Sequence, residues 1–166
     1  MKTPVYIIPG LGETCRELRY RKLAAAIQAK GYKVVRMQPN WYKPLLTQII
    51  AVPPEAIIIG FSIGAVIAYF IGLKTPCQKL VLASLSPINR FTYWSLYRDL
   101  CKYMSKAKAD AIASDLTSLR INLKKLKIPY VTLAGALEKD LPAEFLVPKT
   151  SHIITKEYIT CITKLL

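Results

Sequence analysis

Short apolar runs alternate along the chain with longer segments in which apolar and polar positions are mixed. Five of the runs predict strands, near residues 4–8, 33–37, 56–60, 79–84 and 129–134. Three of the mixed segments predict helices near residues 14–30, 43–51 and 154–165, and the longer, largely apolar segment 63–74 predicts a fourth. The runs 56–59 and 80–83 contain no polar residue, which is typical of strands buried on both faces. The alternation predicts an α/β fold with a mostly parallel sheet and helices on both faces.

A serine lies on a glycine-flanked turn between the third predicted strand and the helix after it, in Gly60-Phe61-Ser62-Ile63-Gly64. A G-x-S-x-G turn in this setting is typical of the nucleophile elbow of serine hydrolases. Because the turn is sharp, its neighbours must be small, and the two glycines meet that need. The helix that follows points backbone N–H groups toward the serine, so the amide of Ile63 is a candidate oxyanion donor. The alternative is a serine that only caps a buried helix.

One histidine, His152, lies near the end of the chain, after an acidic pair that follows the last predicted strand. The order serine, acid, histidine is typical of hydrolases with such an elbow. His152 would act as general base and then as general acid. Either Glu138 or Asp140 could orient its imidazole and stabilise the protonated ring. The alternatives are two solvated surface charges and a packing histidine.

A second glycine turn, Pro9-Gly10-Leu11-Gly12, ends the first predicted strand, and with it the chain resembles the α/β-hydrolase family over nearly its whole length. The resemblance implies that the residue after the first glycine, Leu11, donates the second oxyanion N–H. Pro9 replaces the histidine usual in the family, which matters little because the donor is a backbone amide. The family's Gly-x-x-Asp turn, with a proline four residues on, puts Glu138 in the acid position and leaves Asp140 as the alternate.

The few residues between Glu138 and His152 predict a sheet that is abbreviated at its C-terminal end. We expect one domain, residues 1–166, with a short helical insertion at about residues 88–120. In the family this position holds a cap over the active site. The resemblance implies that four aromatic side chains there contribute to a hydrophobic substrate pocket: Phe91, Tyr93, Trp94 and Tyr97. The alternative is a helical hairpin that packs its aromatics onto the sheet.

The chain is strongly basic, with 24 Lys and Arg against 10 Asp and Glu and a formal net charge of +14. Such a charge attracts anionic partners, such as an anionic lipid surface or a phosphate-bearing coenzyme A thioester. It could also simply solvate the surface. No zinc-finger, helix-turn-helix or aromatic-basic RNA motif is recognisable, so nucleic-acid binding is not favoured.

Residues 56–73 carry no charge, but they contain a predicted strand, turn and helix, so we expect no transmembrane segment. The chain enters its first strand without an apolar leader, which favours a cytoplasmic location. Four scattered cysteines lack metal-ligand spacing, so no metal site is expected. We expect a serine hydrolase that cleaves an ester or thioester through an acyl-serine intermediate, without a cofactor. The alternative is a non-catalytic protein of the same fold that binds a lipid or protein partner.

Overall fold

Six strands form one parallel sheet in the computed structural model, which describes residues 2–166. The strands are β1 (Pro4–Ile8), β2 (Lys33–Arg36), β3 (Ile57–Phe61), β4 (Lys79–Ala83), β5 (Tyr130–Gly135) and β6 (Phe145–Val147). Their order across the sheet is β2-β1-β3-β4-β5-β6, and every neighbouring pair is parallel. The predicted α/β class with a parallel sheet is therefore confirmed.

Five helices cover the two faces of this sheet. They are α1 (Leu18–Ala29), α2 (Ile63–Lys74), α3 (Tyr93–Leu100), α4 (Lys106–Ser118) and α5 (Lys156–Lys164). Buried side chains of α1 and α5 pack on one face, and those of α2 and α4 belong to the hydrophobic cluster on the other face. The prediction of helices on both faces is confirmed.

The centre of the sheet is fully apolar. All five residues of β3 are buried, and α2 is buried along most of its length because it packs on the sheet and shares a hydrophobic cluster with Leu45 and residues of α4. This double burial accounts for the uncharged stretch at residues 56–73. In residues 2–166 we find no helix that combines the length and the apolar character needed to span a bilayer.

Three elements differ from the sequence prediction. Helix α1 begins at Leu18 rather than near residue 14, because backbone hydrogen bonds close tight turns over residues 10–17. Residues 43–51 form only a single 3₁₀ turn, Leu45–Gln48, since prolines at positions 44, 53 and 54 leave no room for a regular helix. Strand β6 was not predicted, because it has three residues and two of them are exposed.

The order in which the chain adds strands to the sheet reverses at one point, beside β1. The connection from β1 leads to β2 on one side, and the chain then crosses back to β3 on the other side of β1. Ligands of open parallel sheets bind at the carboxyl ends of the strands beside such a point. The loops that follow β1 and β3 carry Leu11 and Ser62, so both residues lie there.

Candidate active site

Ser62 occupies the turn between β3 and α2 with a backbone conformation that non-glycine residues rarely adopt. Its φ is 55° and its ψ is −119°. The Ser62 amide donates a hydrogen bond of 2.9 Å to the carbonyl of Ala83 in β4, which anchors the turn to the neighbouring strand. The Ser62 side chain is thereby held at the carboxyl edge of the sheet.

The glycines on either side of Ser62 are required by close backbone contacts. A Cβ atom on Gly60 would lie 2.5 Å from the Cα atom of Ala65. A Cβ atom on Gly64 would overlap the carbonyl oxygens of Ile8 and Pro9 at the end of β1. The two glycines therefore let α2 approach both β3 and the turn after β1.

Ser62, His152 and Glu138 form a continuous hydrogen-bonded chain. The Nε2 atom of His152 lies 2.8 Å from the Oγ atom of Ser62, and its Nδ1 atom lies 2.5 Å from the Oε1 atom of Glu138. The His152 ring packs on Phe61, with ring centroids 5.1 Å apart. Ser62 is 9% exposed, whereas 48% of the His152 side chain is exposed. Ser62 is thus buried while one side of the imidazole stays open to solvent.

Three groups besides His152 contact the Glu138 carboxylate. The hydroxyl of Ser84 and the amide of Gly135 each donate to Oε2 at 2.6 Å, and the hydroxyl of Tyr158 lies 3.4 Å away. Burial by itself raises the pKa of Glu138, but the hydrogen bonds from Ser84, His152 and Gly135 outweigh it and lower the pKa below its ordinary value. The carboxylate is therefore held in its charged form beside the imidazole.

Asp140 lies on the same turn but in a different environment. Its backbone carbonyl accepts a hydrogen bond of 3.0 Å from the Arg90 guanidinium. Glu138, two residues earlier, has a side chain that is 7% exposed and points at His152. Of the two candidate acids, Glu138 is the one that the structure brings to the imidazole.

Leu11 and Ile63 lie beside Ser62 at the reversal point of the sheet. Ile63 is the first residue of α2, so its amide has no acceptor within the helix. A Cβ atom on Gly10 would lie 3.3 Å from the Cβ atom of Ser62, so the turn after β1 lies against Ser62. Leu11 and Ile63 line the same cavity.

A partly buried polar cluster supports the turn that carries Leu11. The Gly10 amide donates to Glu13 Oε2 at 2.9 Å and contacts the Tyr20 hydroxyl at 3.0 Å. Tyr20 also donates to Glu13, and Arg19 lies 2.8 Å from the other carboxylate oxygen. The cluster ties the first residues after β1 to helix α1.

The four predicted substrate-binding aromatics are divided between two locations. Phe91 lines the open cleft that also contains His152 and Glu138. Tyr93 and Tyr97 stack on each other, with ring centroids 5.7 Å apart, and Tyr93 donates to Asp110 of α4. Trp94 is 73% exposed on the outer side of α3. Of these four aromatics, only Phe91 lies in the cleft with His152 and Glu138.

Sequence reasoning gave no role to three polar residues that the structure brings to the site. Ser86 lies with its Oγ atom 3.1 Å from that of Ser62. Ser84 and Tyr158 are buried, and their hydroxyls are 2.5 Å apart next to Glu138. Ser84 and Ser86 directly follow β4, so their position at the carboxyl end of a central strand was an available signal. Tyr158 lies in the last helix, and no local motif indicates it.

No group of three or more His, Cys, Asp or Glu side chains in residues 2–166 is arranged to hold a metal ion.

Comparison by sequence finds no matching family model and no matching curated protein. Comparison of structures finds several similar enzymes. Est1E from Butyrivibrio proteoclasticus has a TM-score of 0.71 and 11% identity, over 99% of this chain and 85% of that one. An esterase from Pyrococcus furiosus has a TM-score of 0.62 and 15% identity, and the match covers 99% of this chain and 81% of the esterase. A marine microorganism esterase has a TM-score of 0.60 and 14% identity, and the match covers 100% of this chain and 96% of that esterase. The chain has the α/β-hydrolase fold.

Proposed function

We propose that the protein is a serine hydrolase that cleaves a carboxylic ester or thioester through an acyl-serine intermediate. The observation that carries this proposal is the hydrogen-bonded chain from Ser62 to His152 to Glu138, with heavy-atom distances of 2.8 Å and 2.5 Å. The Ser62–His152 distance lies in the range over which a base takes a proton from a nucleophile, and the His152–Glu138 contact is a short hydrogen bond that can orient the base.

In the first step, His152 Nε2 accepts the proton of Ser62 Oγ while Oγ bonds to the substrate's carbonyl carbon. The carbonyl oxygen becomes an oxyanion, which the amides of Leu11 and Ile63 stabilise by hydrogen bonding. Glu138 keeps the proton on Nδ1 of the neutral ring and stabilises the imidazolium that forms. The hydrogen bonds that lower its pKa stabilise the charged carboxylate that this role needs.

In the second step, the imidazolium returns its proton to the leaving oxygen or sulfur, the bond to that atom breaks, and the acyl group remains on Ser62. Water then attacks the acyl carbon while His152 takes one of its protons. As the second oxyanion collapses, the bond from the acyl carbon to Ser62 Oγ breaks, the imidazolium gives its proton to Oγ, and the acid is released. This sequence needs no metal or organic cofactor.

We also propose a domain organisation, a class of partners and a cellular location for this hydrolase. Residues 1–166 form a single hydrolase domain, and the segment at about residues 88–120, which contains α3, acts as its cap. The net charge of +14 supports an anionic substrate and peripheral contact with anionic lipid. A cytoplasmic location agrees with four cysteines whose thiols are all free.

The test is covalent labelling with a fluorophosphonate, followed by mass spectrometry to locate the modified residue. We expect labelling at Ser62, its loss in Ser62→Ala, and strong reduction in His152→Ala, while circular dichroism shows that both variants are folded. A control variant, Ser118→Ala at the exposed end of α4, should label like the wild type. Absence of Ser62 labelling and of ester turnover in folded wild-type protein contradicts the proposal and favours a non-catalytic lipid- or protein-binding protein.

A further inference from the structure

A small cavity of about 60 Å³ lies between the turn after β1, the loop before the 3₁₀ turn and helix α4. Its apolar lining residues include Leu11, Trp41, Leu45, Ile63, Ile112 and Leu116. We propose that this cavity binds the acyl group of the substrate and limits it to a short, uncharged chain of about two to four carbons, with Ile112 and Leu116 setting the limit. This inference rests on the proposed serine hydrolase function.

The location of the cavity identifies which part of the substrate it takes. Its lining includes Leu11 and Ile63, whose amides are the proposed oxyanion donors. The substrate's carbonyl oxygen points at those amides, and the leaving group must lie near His152 to receive a proton. The His152 side of Ser62 opens into a separate cleft lined by Phe91 and Leu141. The leaving group therefore occupies the open cleft, and the acyl group occupies the cavity.

The volume of the cavity sets the length of the chain. An apolar protein cavity of about 150 Å³ holds benzene, which corresponds to roughly 25 Å³ per carbon atom. By that measure, 60 Å³ accommodates two to three carbons beyond the carbonyl. Ile112 and Leu116 are 6% and 1% exposed and belong to the main hydrophobic cluster, so the inner wall cannot easily retreat.

The chemistry of the lining favours an uncharged acyl group. Asp115 is the acidic residue of the lining, and its Oδ2 atom accepts a hydrogen bond of 2.8 Å from the Leu45 amide. That bond also fastens the loop before the 3₁₀ turn to α4, which fixes the width of the cavity. Lys43 lies at the exposed rim, whereas the buried aliphatic side chains of Leu45, Ile112 and Leu116 line the interior. A carboxylate on the acyl chain would lose hydration there without gaining a partner.

The experiment compares kcat/KM for p-nitrophenyl acetate, butyrate, hexanoate and octanoate. For the wild type we expect butyrate or acetate to exceed octanoate by about tenfold or more. In Ile112→Ala the ratio of butyrate to octanoate should fall by about tenfold, because the enlarged cavity admits the longer chain. Leu116→Ala provides a second variant should the first fail to fold. The ratio does not depend on the active fraction of either preparation.

The matched control is Ile159→Ala on α5, which lies on the opposite face of the sheet and should keep the wild-type ratio. A wild-type optimum at octanoate, or unchanged ratios in both α4 variants, overturns the inference while Ser62 labelling and ester turnover leave the proposed function standing. If no ester is hydrolysed and Ser62 is not labelled, the proposed function and this inference both fail.

Discussion

The Nε2 atom of His152 lies 2.8 Å from the Oγ atom of Ser62, although 90 positions separate the two residues in the chain. The contact exists because β3 and β5 both end at the same edge of a parallel sheet, and the loop after β6 returns to that edge. Gly135 permits the return, since a Cβ atom there would lie 2.5 Å from the carbonyl oxygen of Thr150. The hydrogen-bonded chain of Ser62, His152 and Glu138 thus results from the sheet topology and from close backbone packing.

Replacing each of the two candidate acids in turn, Glu138 and Asp140, should change kcat to different extents. Glu138→Gln removes the carboxylate that faces His152 Nδ1 and should lower kcat by about 10³- to 10⁴-fold, because the imidazole loses its required tautomer. Asp140→Asn keeps the backbone carbonyl that Arg90 contacts and should leave kcat close to the wild-type value. Steady-state ester hydrolysis measures both. Equal losses in the two variants would contradict the assignment.

Ser84 should contribute to both stability and turnover through Glu138. Ser84→Ala deletes a buried donor to a charged carboxylate, so we expect a loss of about 2 kcal/mol in the free energy of unfolding. We also expect a lower kcat at unchanged KM, because the acid is less well positioned. Urea unfolding and initial-rate kinetics give the two numbers. Ser118→Ala is the control, and a Ser84→Ala protein with wild-type kcat and stability would refute the role.

Stability should depend on pH through Glu138 in a definite direction. Its pKa in the folded protein lies below the value of about 4.3 expected for an unfolded chain. Ionised Glu138 therefore stabilises the fold fully above that value, and the contribution is lost as pH falls through the folded pKa. Urea unfolding of the wild type and Glu138→Gln from pH 7 to pH 3 tests this. The wild-type advantage should shrink on acidification, and an advantage that grows instead would contradict the direction of the shift.

Gly64 and Gly72 both lie in α2 but should respond differently to alanine. In Gly64→Ala the new Cβ meets backbone carbonyls at the end of β1, which cannot retreat without moving the strand, so we expect a loss of about 3 kcal/mol. In Gly72→Ala the Cβ meets the side-chain tips of Leu80 and Ile128, which can rotate. The gain in helix propensity, about 1 kcal/mol, offsets part of that cost. Thermal unfolding compares the two variants, and equal losses would argue against the close contact with β1.

The sequence carried enough information to predict the fold class because the central strands are buried on both faces and read as unbroken apolar runs. The elbow at Ser62 is recognisable because both glycines lie within two residues of the serine, although Gly64 is required by a contact with the distant end of β1. The surroundings of Glu138 were not predictable, since Ser84 and Tyr158 lie 54 and 20 positions away from it. Strand β6 escaped prediction for a related reason, because pairing with β5, rather than its own composition, makes it a strand.

Strand β6 pairs with β5 and is an edge strand of the sheet. The loops on either side of it carry Glu138 and His152. Border segments of a protein separate at a lower free energy than its central strands do. Catalysis would thus be the most fragile property of this molecule. On gradual heating, turnover should vanish while most of the helical circular dichroism signal persists. An activity assay would then report the separation of the edge strand β6 rather than the unfolding of the whole domain.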